Sequence, residues 1–166
     1  MTEEIRTARL VLRRPTMEDA PALHHRLYGD PEIMRYGSRL PDGDVAQTAG
    51  FLAKTIAAND SGEGDDFIML LDGEVIGKCG LWRGNEIGFQ VARAHWGKGL
   101  VREAAEAILA RAKARGLQSV TADVDPRNAR SLALLERLGF VKTGEAKNTF
   151  RLGEEWTDSV YLAKCL

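Results

Sequence analysis

Residues 89–101 of this chain read Phe89-Gln90-Val91-Ala92-Arg93-Ala94-His95-Trp96-Gly97-Lys98-Gly99-Leu100-Val101. The stretch has the pattern of a strand, a turn with two glycines and the start of a helix. Gly116 is expected to end that helix in the left-handed conformation, which places Gly97 and Gly99 at its N-terminus. The helix itself is indicated by apolar residues at helical spacing, which are Val101, Ala104, Ala105, Ile108, Leu109 and Ala112.

A helix N-terminus of this kind is suited to bind an anion. The first N–H groups of a helix have no partner within it, and the helix dipole is positive at that end. A phosphate or pyrophosphate is the natural ligand, and glycine lets it approach the backbone. However, glycine also serves ordinary turns, and neither the G-x-x-x-x-G-K-[ST] motif nor G-x-G-x-x-G is present at this turn. The glycines alone leave a phosphate site and an ordinary turn both open.

Length and composition limit the class of protein. The chain has 166 residues, and residues 1–166 are expected to form a single domain with one substantial core. The formal net charge of -1 and the scattered basic residues argue against binding to nucleic acid. No stretch approaches the roughly 20 apolar residues of a membrane span, so a cytoplasmic protein without membrane contacts is expected. Cys79 and Cys165 lack the spacing of metal ligands, and no metal site is predicted.

The residues before the glycine turn predict a strand, two main helices and an antiparallel meander. Residues 8–13 alternate apolar and basic side chains as a first strand. Thr16 is expected to open a helix that reaches about Tyr28, and Asp44 to cap another, followed by a loop over residues 59–66. Asp72-Gly73 is a strong hairpin signal between two strands, and a further strand covers residues 86–91.

The residues after the helix that follows the glycine turn continue the sheet. Residues 119–124 alternate as a strand, which runs parallel to residues 86–91 if both share a sheet, because a helix connects them. A second helix is predicted from about Asn128 to Leu138 and is capped by Gly139. Two final strands, near residues 147–152 and 156–163, are expected to turn at Gly153.

Two motifs make the chain resemble the GCN5-related N-acetyltransferase superfamily, abbreviated GNAT. They are Trp96-Gly97-Lys98-Gly99-Leu100-Val101 and Asn128-Ala129-Arg130-Ser131, the latter followed by Leu138-Gly139-Phe140. The order of predicted elements is also similar, over nearly the whole chain. The opening Thr7-Ala8-Arg9-Leu10-Val11-Leu12-Arg13-Arg14-Pro15 further resembles the branch with the ribosomal-protein N-terminal alanine and serine acetyltransferases.

The resemblance implies an α/β fold of the α+β type. Its mixed, mostly antiparallel sheet has helices on both faces, and its fourth and fifth strands, here residues 86–91 and 119–124, splay apart. The pantetheine arm of the cosubstrate acetyl-CoA lies in that opening, and no metal is implied. By position, backbone groups of residues 89–91 contact the pantetheine, residues 97–102 surround the pyrophosphate and Asn128 holds the arm. The residues thus implied in binding are Phe89, Gln90, Val91, Gly97, Lys98, Gly99, Leu100, Val101, Arg102 and Asn128.

One residue of the pyrophosphate loop departs from the family pattern. That pattern is [Q/R]-x-x-G-x-[G/A], in which Trp96 takes the first position and Val101 the last. A branched side chain at Val101 is expected to crowd the loop and to displace or weaken the pyrophosphate site.

The resemblance also suggests catalytic residues. Attack of an amine on a thioester needs a base, a donor for the carbonyl oxygen and a proton for the leaving thiolate. The N–H of Val91 is the expected donor, and Glu86 and Asp123 are alternative bases, acting directly or through water. A tyrosine that serves as the acid in many relatives is replaced by Leu135, so Ser131 is the candidate acid. For Glu86, Asp123 and Ser131 a purely structural role is also open.

The function that the resemblance implies is acetyl transfer from acetyl-CoA to a primary amine, either a protein N-terminus or a small molecule. The alternatives are a non-catalytic acyl-CoA-binding module and a binding protein for another phosphorylated ligand. The sequence leaves open whether the protein is a monomer or a homodimer. A group of acidic residues could attract a cationic acceptor, but solvated surface is the favoured interpretation; the group comprises Asp42, Asp44, Glu63, Asp65 and Asp66.

Overall fold

The computed structural model describes residues 3–166 as eight strands in one sheet with five α-helices. The strands are β1 (Glu4–Arg6), β2 (Leu10–Arg13), β3 (Asp65–Leu71), β4 (Glu74–Trp82), β5 (Glu86–Val91), β6 (Ser119–Val124), β7 (Val141–Leu152) and β8 (Glu155–Cys165). The helices are α1 (Ala20–Leu23), α2 (Pro31–Met34), α3 (Val45–Ser61), α4 (Leu100–Ala114) and α5 (Ala129–Arg137). No helix in the described residues has both the length and the apolar character required to cross a membrane.

The sheet is antiparallel except at one place. Its strand order is β1-β2-β3-β4-β5-β6-β8-β7, and β5 and β6 are the parallel pair. Only Glu86 and Thr121 are in register there, with the Thr121 N–H donating to the Asn85 carbonyl at 2.9 Å. Beyond this pair the two strands separate toward their C-terminal ends. The predicted splay is confirmed. Because the short β1 was not predicted, the splayed strands are the fifth and sixth of this chain and not the fourth and fifth.

Helices cover both faces of the sheet, as predicted. On one face, α4 buries Ala104, Ala105 and Ile108 in the main core, which α5 joins through Leu135. On the other face, Leu23 and Leu52 belong to a smaller core beneath α1 and α3. These apolar contacts fix α4 and α5 on the same side of the sheet, on either side of the splay.

Glycines end the two helices as predicted. Gly116 has a φ of 88°, and the next residue, Leu117, donates back to the Ala112 carbonyl at 3.0 Å. Gly139 has a φ of 91°, and Phe140 closes α5 in the same way on Leu135. This pairing of a left-handed glycine with a return hydrogen bond satisfies the free carbonyls of the last turn.

Several predicted boundaries are wrong. The helix after Thr16 is broken into a 3₁₀ turn (Met17–Asp19), α1 and a π-helical turn (His24–Tyr28). The loop over residues 59–66 is shorter, because α3 continues to Ser61 and β3 begins at Asp65. β7 starts at Val141, six residues before the predicted start at residue 147. Its first half gave no strand signal, because an exposed edge strand lacks regular apolar alternation.

The favoured surface interpretation of the acidic residues is also wrong for three of them. Asp42, Asp65 and Asp66 are buried and paired with basic side chains, whereas Asp44 caps α3 by accepting from the Gln47 N–H at 2.9 Å. Asp65 accepts from both Arg14 at 2.7 Å and Arg111 at 2.8 Å. Burial pushes the pKa of Asp65 upward, but the hydrogen bonds from Arg111 and Arg14 outweigh it and hold the pKa below its ordinary value.

Candidate active site

The turn between β5 and α4 presents a row of free backbone donors. Gly97 and Gly99 have φ values of 73° and 74°, which other residues rarely adopt. A Cβ at Gly97 would meet nothing within 4 Å, so the glycine is required by its backbone angle and not by packing. Within residues 3–166, no N–H group of residues 97–102 has a hydrogen-bond acceptor. This geometry fits a phosphate or pyrophosphate at the start of α4.

This phosphate loop, residues 97–102, is held by the turn between β1 and β2. Arg9 donates to the Glu103 carboxylate through Nε at 2.7 Å and to the Lys98 carbonyl through Nη1 at 2.8 Å. Thr7 and the Arg9 backbone N–H also donate to Glu103. Burial raises the pKa of Glu103, but these hydrogen bonds outweigh it and leave the pKa lowered. Glu103 is therefore ionised and neutralised, and it does not repel an anion at the loop. The sequence analysis missed this connection.

For Val101, crowding of the pyrophosphate site stays a prediction. Its side chain packs against the main core, as does that of the buried Leu100. Arg102 forms an exposed ion pair with Glu106 at 3.0 Å. The backbone N–H groups of these three residues are therefore available to a ligand at the loop, while their side chains make contacts elsewhere.

The N–H of Val91 faces the gap between β5 and β6. Ala92 donates its N–H to the Ile76 carbonyl of β4 at 2.8 Å. Since successive N–H groups of a strand point to opposite sides, the Val91 N–H points away from β4. The Val91 carbonyl accepts from Trp96 Nε1 at 2.9 Å, on the same side. The predicted donor for a carbonyl oxygen is thus directed into the splay.

A cavity of about 480 Å³ opens at the splay, within the usual size range of small-molecule sites. Six of the residues predicted to bind the coenzyme or to act in catalysis line this cavity, and two of them are the candidate bases. The lining from the prediction comprises Glu86, Phe89, Gln90, Asp123, Asn128 and Ser131. Val91 and the phosphate loop lie beside this cavity and do not line it.

Glu86 and Asp123 lie on the same face of the sheet. Glu86 pairs with Thr121, and Asp123, two residues further along β6, lies on the same face as Thr121. A Cβ at Gly88 would meet no atom within 4 Å, so the cavity is open beside Gly88. Burial, and then the negative charge of Asp123, raise the pKa of Glu86. A carboxylate with a raised pKa beside an open cavity is suited to accept a proton.

Asn128 and Ser131 occupy the first turn of α5. The Asn128 side-chain oxygen accepts from the Ser131 N–H at 3.2 Å and so caps the helix, which leaves its amide NH₂ as the group available for a ligand. The Ser131 hydroxyl has no hydrogen-bond partner in the part of the chain that the structure describes, so it does not bond its own turn. Leu135, in place of the family tyrosine, is fully buried at the cavity wall.

Most of the rest of the cavity wall consists of residues that the sequence analysis did not name individually, although it expected acceptor specificity to come from residues 30–66 and the last hairpin. These residues come from the segment after α2, from α3, from the end of β4 and from the β7–β8 hairpin, and none belongs to a motif. They include Tyr36, Lys54, Trp82, Phe150 and Asp158. Within the described residues, no group of three or more His, Cys, Asp or Glu side chains is arranged to hold a metal ion.

A splayed parallel strand pair beside a helix N-terminus with free N–H groups is consistent with an acyltransferase fold. The family described as the acetyltransferase (GNAT) domain matches residues 9–141, and the chain belongs to this family. The chain is 33% identical over 151 residues to the uncharacterised N-acetyltransferase p20 of Bacillus licheniformis, which covers 86% of this chain and 84% of that protein. The predicted family, fold class and enzyme class are thereby confirmed.

Relatives in the ribosomal branch are also similar. The alanine N-acetyltransferase of ribosomal protein uS5 from Escherichia coli is 36% identical over 78 residues, covering 46% of this chain and 40% of that enzyme. The structure of the ribosomal L7/L12 α-N-protein acetyltransferase RimL in complex with coenzyme A has the same fold, with a TM-score of 0.88 and 18% identity over 99% of this chain and 98% of that one.

Proposed function

We propose that this protein transfers the acetyl group of acetyl-CoA to a primary amine by direct attack of the amine on the thioester. The observation that carries the proposal is the cavity at the splay, which has a carboxylate of raised pKa on one side and an inward-facing backbone N–H beside it. The free donors of residues 97–102 support binding of the coenzyme pyrophosphate. The acceptor is a protein N-terminus or a small-molecule amine, and no residue contact favours one of them.

Residues in and beside the cavity divide the chemistry between them. When bound, acetyl-CoA supplies the activated acetyl group as a thioester. Glu86 accepts a proton from the acceptor ammonium, directly or through water. The Val91 N–H donates to the oxygen that gains negative charge, and the Ser131 hydroxyl donates a proton toward the departing sulfur. The walls orient the amine, which supplies a large share of the rate enhancement in such transfers.

A non-catalytic acyl-CoA-binding module is the second candidate, because Leu135 replaces a tyrosine that many relatives use as acid. Incubation with radiolabelled acetyl-CoA and a panel of N-terminal peptides, polyamines, amino acids and aminoglycosides tests the proposal. Label transferred to an amine supports the enzyme. Tight binding of coenzyme A without transfer to any amine, measured by calorimetry, favours the module.

The base is tested by Glu86→Gln. We expect acetyl transfer at neutral pH to fall by about 100-fold or more, because a positioned base contributes roughly 10²–10⁴-fold. The loss should shrink at high pH, where the amine arrives already neutral. The measurement is the pH–rate profile of kcat/KM with one accepted amine.

Asp123→Asn is the matched control for Glu86→Gln. Because the charge of Asp123 raises the pKa of Glu86, its removal should move the acidic limb of the profile to lower pH. An unchanged profile in Glu86→Gln, together with loss of the acidic limb in Asp123→Asn, would reverse the assignment of the base.

Ser131→Ala tests the acid. The variant keeps the backbone N–H that Asn128 caps, so only the hydroxyl is lost. We expect kcat at saturating substrates to fall by about 10- to 100-fold, at or below the lower end of the range for a positioned acid. Ser131→Cys, which restores a proton donor, should recover part of the rate. If the parent and Ser131→Ala have equal kcat, Ser131 is not the acid and has only a structural role.

A further inference from the structure

Arg130 connects the first turn of α5 with the turn that precedes α4. It lies in the first turn of α5, and its guanidinium stacks over the Trp96 ring with 4.2 Å between the guanidinium carbon and the ring centroid. Trp96 directly precedes the phosphate loop and is fixed by its hydrogen bond to the Val91 carbonyl. The charge of Arg130 is therefore held from the α5 side at the entrance of the loop.

Arg130 differs from the other arginines near the loop in having no carboxylate partner. Within residues 3–166, no carboxylate lies within 4 Å of its guanidinium, and no acceptor takes its N–H groups. Four neighbouring arginines are neutralised by ion pairs, namely Arg9 with Glu103, Arg93 with Asp30, Arg102 with Glu106 and Arg127 with Asp125. Stacking on an aromatic face leaves the edge of a guanidinium free, so all five of its N–H donors remain available.

The topology places a bound coenzyme between Arg130 and the phosphate loop. A ligand with its pyrophosphate at the start of α4 and its arm between β5 and β6 must pass between the N-termini of α4 and α5. Arg130 lies on the α5 side of this passage, and the free backbone N–H groups lie on the α4 side. Guanidinium binds phosphate through short, charge-assisted and often bidentate hydrogen bonds.

We propose that Arg130, positioned by its stacking on Trp96, binds a phosphate group of coenzyme A from the side opposite the phosphate loop. This inference rests on the proposed function, because it requires coenzyme A in the splay. It assigns a binding role to a residue of α5 that the sequence analysis quoted within a motif and gave no function.

Calorimetric titration of coenzyme A into the parent, Arg130→Ala and Arg130→Lys tests the proposal. We expect Arg130→Ala to weaken binding by about 10- to 100-fold, as for loss of charged hydrogen bonds. Arg130→Lys should recover part of the affinity, because it keeps the charge but not the planar fork. The salt dependence of Kd should be less steep in Arg130→Ala than in the parent. Arg137→Ala, an exposed arginine in the last turn of α5, is the matched control and should bind like the parent.

Dephospho-coenzyme A identifies which phosphate is bound. If Arg130→Ala loses affinity for coenzyme A but binds dephospho-coenzyme A like the parent, the contact is to the 3′-phosphate. If it loses the same factor with both ligands, the contact is to the pyrophosphate. Equal Kd values for coenzyme A in a folded Arg130→Ala and the parent overturn the role of Arg130 and leave the proposed function standing. A parent that does not bind coenzyme A overturns both.

Discussion

We expect Gly99→Pro to lower the affinity for coenzyme A by about 100-fold or more. Proline fixes φ near −65°, whereas Gly99 has a φ of 74°, so the phosphate loop cannot keep its shape. The substitution also removes one free N–H, and each hydrogen bond to a charged group contributes roughly 1.5–3 kcal/mol. Displacement of the neighbouring donors adds to this loss. Calorimetric titration with coenzyme A measures the effect directly.

The Gly99→Pro experiment needs a control for damage to the fold. The Gly99 N–H has no acceptor within residues 3–166, so the proline removes no hydrogen bond inside the protein. Gly116→Pro places the same residue at a φ of 88° at the other end of α4, and it does break a hydrogen bond, to the Lys113 carbonyl. It should destabilise the protein more and keep the parent Kd in the folded fraction. Parent-like binding by a folded Gly99→Pro would place the pyrophosphate elsewhere.

The second large effect is expected for Asp65→Asn, in the free energy of unfolding. Asp65 is 4% exposed and is bound by Arg14, Arg111 and Arg115. Breaking a buried ion pair by removing one partner typically costs about 3–5 kcal/mol, because it leaves the other charges uncompensated. We expect the lower end of this range, since Arg115 is partly exposed. Urea unfolding at neutral pH measures the change.

The pH dependence gives Asp65→Asn a second readout. A carboxylate whose pKa is lowered by folding contributes stability above its unfolded pKa of about 4 and loses that contribution as the pH falls through the folded pKa. The difference between parent and variant should therefore be full at neutral pH and shrink below about pH 4. Glu106→Gln, which breaks the exposed pair with Arg102, is the control and should cost at most about 1 kcal/mol. Equal losses in the two variants would contradict a structural role for the buried cluster.

The sequence predicts the elements whose signals are local. Asp72 and Gly73 adopt φ values of 50° and 80°, as a tight hairpin requires, because these residue types tolerate positive φ at little cost. The apolar spacing of α4 and its glycine at 116 likewise depend on neighbours within one or two turns. The same holds for the donors of residues 97–102, which follow from a glycine turn before a helix.

Features that depend on distant contacts were not predictable in this way. Asp65 is buried because Arg14 and Arg111, far away in the chain, neutralise it, and nothing beside Asp65 in the sequence indicates that partnership. The connection between Arg9 and Glu103 was not predictable either, because 94 residues separate them in the sequence. Tyr36 and Phe150 reach the cavity through loop and hairpin geometry, for which residue spacing gives no signal.

The two ion-pair clusters attach α4 to the first strands at both of its ends. Near its start, Glu103 holds Arg9 of the β1–β2 turn, and near its end, Arg111 shares Asp65 with Arg14. Local opening of β1 and β2 would therefore remove the contacts of Arg9 with Glu103 and with the Lys98 carbonyl, which support the phosphate loop. The N-terminal hairpin thus supports the shape of a loop that lies almost 90 residues further along the chain, and a change in the hairpin is expected to alter ligand affinity at the start of α4.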